Sequence, residues 1–390
     1  MSAGLLLRRD DTGPAVLDVR DRLTATGDLR VARTGPDDTG DVYTEDVERA
    51  VRSFQQRRGL LVDGIVGPQT YRALEATRWQ LGDRILLHTP GHLMEGDDVA
   101  ALQERLLSLG FPCGRVDGVF GWQTDAALRQ LQRGVGLQPD GLAGPHTLRA
   151  LNQLGRAVTG GRPHSLREAD LVRAAGPNLS GRVIVLDPGH SSDPDAAHGA
   201  AAHGLVESDA VLDLARRIEG RLAAVGVQVV LTRALTGNPT ERERADLANA
   251  VGADLLLSLH CEALPDRPQA NGIACFFYGH PDQTGAWSGV GEHLATLVQR
   301  EIVARTDLTD CRTHARTWDL LRMTRMPAVR IEVGHLTNEG DAHRLSQPAF
   351  RDTIAEAVVV AVQRLYLADE DDTATGTLNV ADVLARASRT

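Results

Sequence analysis

The first 155 residues spell one pattern twice, and a chain that does this must build the same small unit twice. Residues 54–74 read FQQRRGLLVDGIVGPQTYRAL and residues 131–151 read LQRGVGLQPDGLAGPHTLRAL. Asp63 of the first copy matches Asp140 of the second, 77 residues on. Earlier in each unit, VLDVRDRL (16–23) parallels VAALQERL (99–106), now 83 residues apart, so the connecting loops differ in length. Val16, Val19 and Leu23, like Val99, Leu102 and Leu106, recur at helical spacing. An Asp-Gly pair then marks a turn. Gly67-Pro68 and Gly144-Pro145 each open a last helix, with proline where its missing N–H costs nothing. Each unit is predicted to be three short helices, the first within residues 1–79 and the second within 80–155. The recurring Asp-Gly-x-x-Gly-Pro-x-Thr string reads first as a folding signature for turn and cap.

Residues 156–180 are rich in Gly, Arg and Pro and read as a linker. The texture then changes. Apolar strands are expected at 182–186, 228–232, 254–259, 272–278 and 328–333. They alternate with helices at 206–225, 245–251, 290–305 and 350–367. Such alternation predicts an α/β domain over 181–367, a mostly parallel sheet with helices on both faces. Residues 368–390 form a tail: acidic from Asp369 to Asp372, then bearing Thr373, Thr375 and Thr377.

Four short strings in this second half carry the chemistry: Asp187-Pro188-Gly189-His190, Gly204-Leu205-Val206-Glu207, Ser258-Leu259-His260 and Arg330-Ile331-Glu332-Val333-Gly334. Ligands of open α/β sheets collect beyond the carboxyl ends of the strands. There the topology gathers His190, Glu207, His260 and Glu332 at one rim. Two His and one Glu are a usual protein ligand set for catalytic zinc, with a fourth position left for water. Cys261 adjoins His260, but strand neighbours face opposite ways, so it is expected to pack rather than ligate.

Composition excludes several classes. The net charge is −10 and the pI near 5.7, with no basic stripe, which argues against nucleic-acid binding. No window is long and apolar enough for a transmembrane helix. Leu5-Leu6-Leu7 is too brief for the apolar core of an export signal, so a cytoplasmic location is expected. The four Cys, at 113, 261, 275 and 311, fit no zinc-knuckle spacing and are expected to be reduced thiols. All 42 basic residues are Arg.

Residues 182–366 resemble the zinc-dependent N-acetylmuramoyl-L-alanine amidases of the third amidase family. The strings above carry the resemblance, with Leu231-Thr232-Arg233, Glu243-Arg244 through Ala248-Asn249, Ala253-Asp254-Leu255 and Pro327-Ala328-Val329. The two N-terminal units resemble the three-helix peptidoglycan-binding repeat found beside many wall hydrolases. The resemblance implies one Zn2+ per chain on His190, Glu207 and His260, with Glu332 as the catalytic carboxylate. It implies cleavage of the bond between the lactyl group of N-acetylmuramic acid and L-alanine, in peptidoglycan or muropeptides. Ser191-Ser192, Glu262 and His335 depart from the family pattern. Glu262 and His335 are expected to point away from the metal.

The order of two repeats, amidase domain and Thr-bearing acidic tail is similar to the CwlM-type group of actinobacteria. That likeness implies a second possibility, a cytoplasmic regulator of peptidoglycan precursor synthesis. Its partners would be the UDP-N-acetylglucosamine enolpyruvyl transferase and a Ser/Thr kinase, with Thr373, Thr375 and Thr377 as regulatory sites.

Overall fold

The computed structural model describes residues 6–29, 40–155, 168, 172, 176, 178–190, 201–234, 237–280 and 286–366. Most of the expected linker, Ser191 and Ser192, and the tail with Thr373, Thr375 and Thr377 lie outside these residues.

The first unit holds helices α1 (Pro14–Ala25), α2 (Glu45–Arg58) and α3 (Pro68–Ala76). The second holds α4 (Asp97–Ser108), α5 (Trp122–Gly134) and α6 (Pro145–Gly155). Each encloses its own apolar core. Val16, Val19 and Leu23 meet Val51, Phe54 and Leu74 in one. Val99, Leu102 and Leu106 meet Leu128, Leu131 and Leu151 in the other.

A buried polar knot explains the recurring string. Gln55 Nε2 donates to Asp63 Oδ1 at 2.7 Å and lies 3.1 Å from Thr70 Oγ1, while Gln55 Oε1 accepts from Gly64 N at 2.9 Å. Gln132, Asp140, Gly141 and Thr147 repeat this arrangement. So do Gln103, Asp117, Gly118 and Thr124, between α4 and α5. The third copy was not visible as a string, because its Asp-Gly is followed by Gly121-Trp122 instead of Gly-Pro. Gly64, Gly118 and Gly141 have φ of +74°, +71° and +74°, a turn conformation open to glycine at little cost. The string's Asp, Gly and Thr are therefore consumed by the fold itself.

The C-terminal domain is built on a six-stranded sheet in the order β4-β1-β5-β8-β6-β7. The strands are β1 (Val183–Pro188), β4 (Gln228–Leu231), β5 (Leu255–Glu262), β6 (Ile273–Tyr278), β7 (Asp310–Arg316) and β8 (Ala328–His335). A separate two-residue pair, β2 (Ala201–Ala202) and β3 (Leu205–Val206), leads into the helix Glu207–Ala224. β4, β1, β5 and β8 run parallel; β6 is antiparallel to β8 and parallel to β7.

Helices Glu207–Ala224, Gly289–Arg305 and Pro348–Leu365 cover one face, over a large core that includes Leu186, Leu257 and Ile331. The other face is covered by helices Glu241–Ala250 and Asp319–Met323, over Val185, Leu256, Tyr278 and Trp318. Strand β7 and the helices Asp319–Met323 and Glu339–Ser346 go beyond the sequence expectation. The helix expected from residue 245 begins at Glu241, where Thr240 and Glu243 close a capping box. No described helix is long and apolar enough to cross a membrane.

The repeats dock on the second face. Tyr278 Oη donates to Val116 O at 2.6 Å, and Arg115 Nη1 donates to Leu321 O at 2.8 Å. Arg115 also pairs with buried Glu168, whose other oxygen accepts from Ser288 Oγ at 2.8 Å. From the first repeat, Arg72 pairs with Asp319, and Gln69 Nε2 donates to Glu241 Oε2 at 2.7 Å.

Candidate metal centre

His190, Glu207 and His260 converge at the carboxyl edge of the sheet. His260 lies in a run of buried residues on β5 and projects on the face that β8 gives to Glu332. His190 follows β1 by the turn Pro188-Gly189. Glu207 is the first residue of its helix.

The turn carrying His190 is held by hydrogen bonds from two buried guanidinium groups to its backbone carbonyls. Buried Asp187 pairs with Arg244 at 2.5 Å and accepts from Ser258 Oγ at 2.6 Å. Arg244 donates onward to Pro188 O at 3.0 Å and His190 O at 2.8 Å. Arg233 donates to Pro188 O at 2.8 Å, Gly189 O at 3.0 Å and Ser208 O at 2.8 Å. Two guanidinium groups thus hold the turn, and Arg233 also ties it to the start of the Glu207 helix. His190 has φ +54°, a left-handed conformation uncommon for histidine that such over-determination sustains.

Glu207 sits between the imidazoles. Its Oε1 lies 3.1 Å from His260 Nδ1 and accepts from Cys261 N at 2.9 Å; its Oε2 lies 3.2 Å from His190 Nε2. Burial alone would push the Glu207 carboxyl up. The hydrogen bonds and charges of His190 and His260 outweigh it and hold the carboxyl well below the usual range. Burial, with the nearby charge of Arg330, lowers His260 to about 4, against the opposing pull of Glu207. The centre therefore holds an ionised carboxylate and a neutral His260 at pH 7, the states in which both bind metal. One donor atom from each of the three residues lies within 4.8 Å of the others, a spacing that one ion about 2 Å from each donor nearly spans. The donor chemistry fits a single divalent metal.

Glu332 is the Cα partner of His260 across β5 and β8, and it is buried. Arg330 Nε donates to its Oε1 at 2.7 Å, whereas Oε2 is buried without a hydrogen-bond partner. Burial raises the Glu332 carboxyl to about 7; Arg330 opposes this, and the charges of Glu262 and Glu207 reinforce it.

The departures separate. Glu262 is close enough for its charge to act on Glu332. His335 turns instead toward Asp341, its Nδ1 3.9 Å from Asp341 Oδ2, and stands outside the ligand group. Cys261 packs into the core on the opposite face, where burial pushes its thiol up.

Sequence reasoning found the four residues at the rim but not what positions them: Gly189, Arg233, Arg244 and Arg330. Arg233 and Arg244 stood in strings that carried the family resemblance without a role of their own.

An α/β sheet that gathers three possible metal donors and a near-neutral carboxylate at one edge suits a hydrolase. Comparisons give the family. Residues 184–364 match the family described as N-acetylmuramoyl-L-alanine amidase, and residues 12–74 and 95–151 match a peptidoglycan binding domain. The chain is 48% identical to the N-acetylmuramoyl-L-alanine amidase CwlM of Mycobacterium tuberculosis, over 98% of this chain and 95% of that one. It is 30% identical to the amidase LytC of Bacillus subtilis, over 46% of this chain and 34% of that one. A solved N-acetylmuramoyl-L-alanine amidase from Clostridium difficile 630 is 25% identical, covering 50% of this chain and all of its own, with a TM-score of 0.45. The chain belongs to the N-acetylmuramoyl-L-alanine amidase family.

Proposed function

We propose that the chain is a zinc-dependent N-acetylmuramoyl-L-alanine amidase, with one Zn2+ held by His190, Glu207 and His260 and with Glu332 moving the proton. The substrate is the amide bond between N-acetylmuramic acid and L-alanine, in peptidoglycan or its fragments. When bound, zinc supplies a water of lowered pKa and polarises the scissile carbonyl. Glu332, whose Oε2 is buried and unpartnered, would accept a proton from the attacking water and return one to the leaving amine. The observation that carries the reading is the register pair His260–Glu332, which sets a near-neutral buried carboxylate beside the donor triad.

The experiment is zinc determination on protein purified without chelator, joined to digestion of muropeptides by parent and Glu332→Gln. About one zinc per chain in both proteins is expected. Hydrolysis in the variant should fall roughly 10²–10⁴-fold, the share that general acid–base catalysis supplies. A metal-free parent, or a Gln variant as fast as the parent, overturns the assignment.

One observation favours a second reading, a cytoplasmic regulator of precursor synthesis with little hydrolysis. Arg330 holds Glu332 Oε1 in a buried ion pair, which opposes its use as a base. In that reading the enolpyruvyl transferase and a Ser/Thr kinase are the partners, and Thr373, Thr375 and Thr377 are the sites modified. A parent that carries zinc but cleaves no muropeptide, and that binds the transferase only while the tail is present, decides for it.

A further inference from the structure

Arg330 is shared by two carboxylates. Its Nε and Nη2 face Glu332 Oε1, both at 2.7 Å, and its Nη1 faces Glu241 Oε1 at 3.7 Å. The guanidinium lies over the Trp318 ring, 4.6 Å from its centroid. Stacking of this kind fixes its plane. Glu241 is fixed in turn. Its Oε2 accepts from Gln69 Nε2 of the first repeat at 2.7 Å and from Leu320 N at 3.3 Å, which leaves Oε1 for Arg330.

Gln69 is the second residue of α3, inside the recurring Gly-Pro-x-Thr string. It occupies the position of that string which the internal turn bonds do not use. The second repeat has His146 there, exposed and bonded to Arg149 of its own helix. Of these two residues, Gln69 is the one that reaches the catalytic domain's charge network.

We propose that the first repeat is a working part of the amidase site: Gln69 orients Glu241, and Glu241 shares the charge of Arg330, so that the guanidinium is not wholly committed to its ion pair with Glu332. Gln69, Glu241 and Arg330 are positioning residues, and the proposal rests on the amidase reading above. If Glu241 loses its charge, the guanidinium is left with one anionic partner, and Glu332 becomes a poorer proton acceptor. If Gln69 is lost, Glu241 is free to turn to solvent, with the same result in weaker form.

The test uses the full, zinc-loaded chain and the variants Gln69→Leu, Glu241→Gln and Glu241→Asp. Glu241→Gln keeps an amide–amide bond to Gln69, and with it the docking of the repeat, while removing the charge. Disturbing a coupled network changes the coupling by amounts that correspond to a roughly two- to thirtyfold fall in kcat for Glu241→Gln and Gln69→Leu. KM and zinc content should stay at the parent's values, and Glu241→Asp should recover most of the rate.

A second measurement does not need turnover. In arginine-labelled protein, the Nε–H resonance of Arg330, assigned by its loss in Arg330→Lys, should move in Glu241→Gln and Gln69→Leu and stay near the parent's place in Glu241→Asp. An unmoved resonance and an unchanged kcat overturn the proposal. An unmoved resonance with a lowered kcat does so as well, since the rate would then fall by another route. A moved resonance in a chain whose parent hydrolyses nothing supports the Arg330 linkage and sinks the amidase reading alone.

Discussion

A single methyl group at Gly189 should empty the metal centre. The turn at Gly189 is pinned from both sides: its N–H donates to Leu259 O at 2.9 Å and its carbonyl accepts from Arg233 at 3.0 Å. The backbone cannot retreat. A Cβ placed there would lie 2.2 Å from His260 Cε1 and 2.5 Å from each ring nitrogen, where ordinary contact begins near 3.4 Å. The imidazole would have to move by the difference, about 1.2 Å, whereas ligand distances tolerate only about 0.2 Å. It would also leave its 3.1 Å contact with Glu207. Mutating a mere outer partner of a ligand costs about 10–100-fold in metal affinity, so displacing the ligand itself should cost at least about 100-fold. Competition against a chromophoric chelator measures this, with circular dichroism to show that the fold survives. Gly220→Ala is the control, since nothing lies within 4 Å of its Cβ and it stands inside a helix. It should be neutral or stabilising by about 0.5–1 kcal/mol. A Gly189→Ala protein that binds zinc as tightly as the parent would refute the steric argument.

Other consequences are more direct. His260→Ala should abolish zinc binding while the repeats, which have their own cores, still melt as before in calorimetry. In metal-free protein the folded His260 titrates near 4 instead of 6.5. As pH falls below about 6.5 the unfolded chain therefore takes up a proton that the folded site refuses, and stability should drop between about pH 6.5 and 4 in urea titrations. Glu262→Gln removes a charge that raises Glu332, so the acidic limb of the hydrolysis profile should move to lower pH; a limb that stays put or rises contradicts the placement. Gln103→Leu orphans the buried turn of the second repeat. It should cost about 1–3 kcal/mol in that unit's unfolding, the usual penalty for an unsatisfied buried polar group.

The sequence made the candidate site legible where chemistry is carried by short strings at strand ends. His190, Glu207, His260 and Glu332 each sit where a strand or helix terminus dictates, so period and turn signals sufficed to bring them to one edge. The positioning groups were illegible for a different reason. Arg233 and Arg244 hold the site through backbone carbonyls 25 to 56 residues away, and nothing in their spacing names an acceptor. β7 was missed because Asp310–Arg316 is polar and largely half-exposed, as suits an edge strand that packs on one neighbour. The capping box at Thr240 was visible as Thr-x-x-Glu, yet the Glu- and Arg-rich turn after it masked the apolar period that would have drawn the helix back to Glu241. That one turn has a consequence for function. By starting the helix at Glu241, it sets a carboxylate at the wall shared by the first repeat and the metal centre. There the residue opposite, Arg330, is the one whose commitment separates a free proton acceptor from a locked ion pair. On the proposed linkage, this wall is where hydrolysis and mere binding part company, because the donor triad serves both readings equally well.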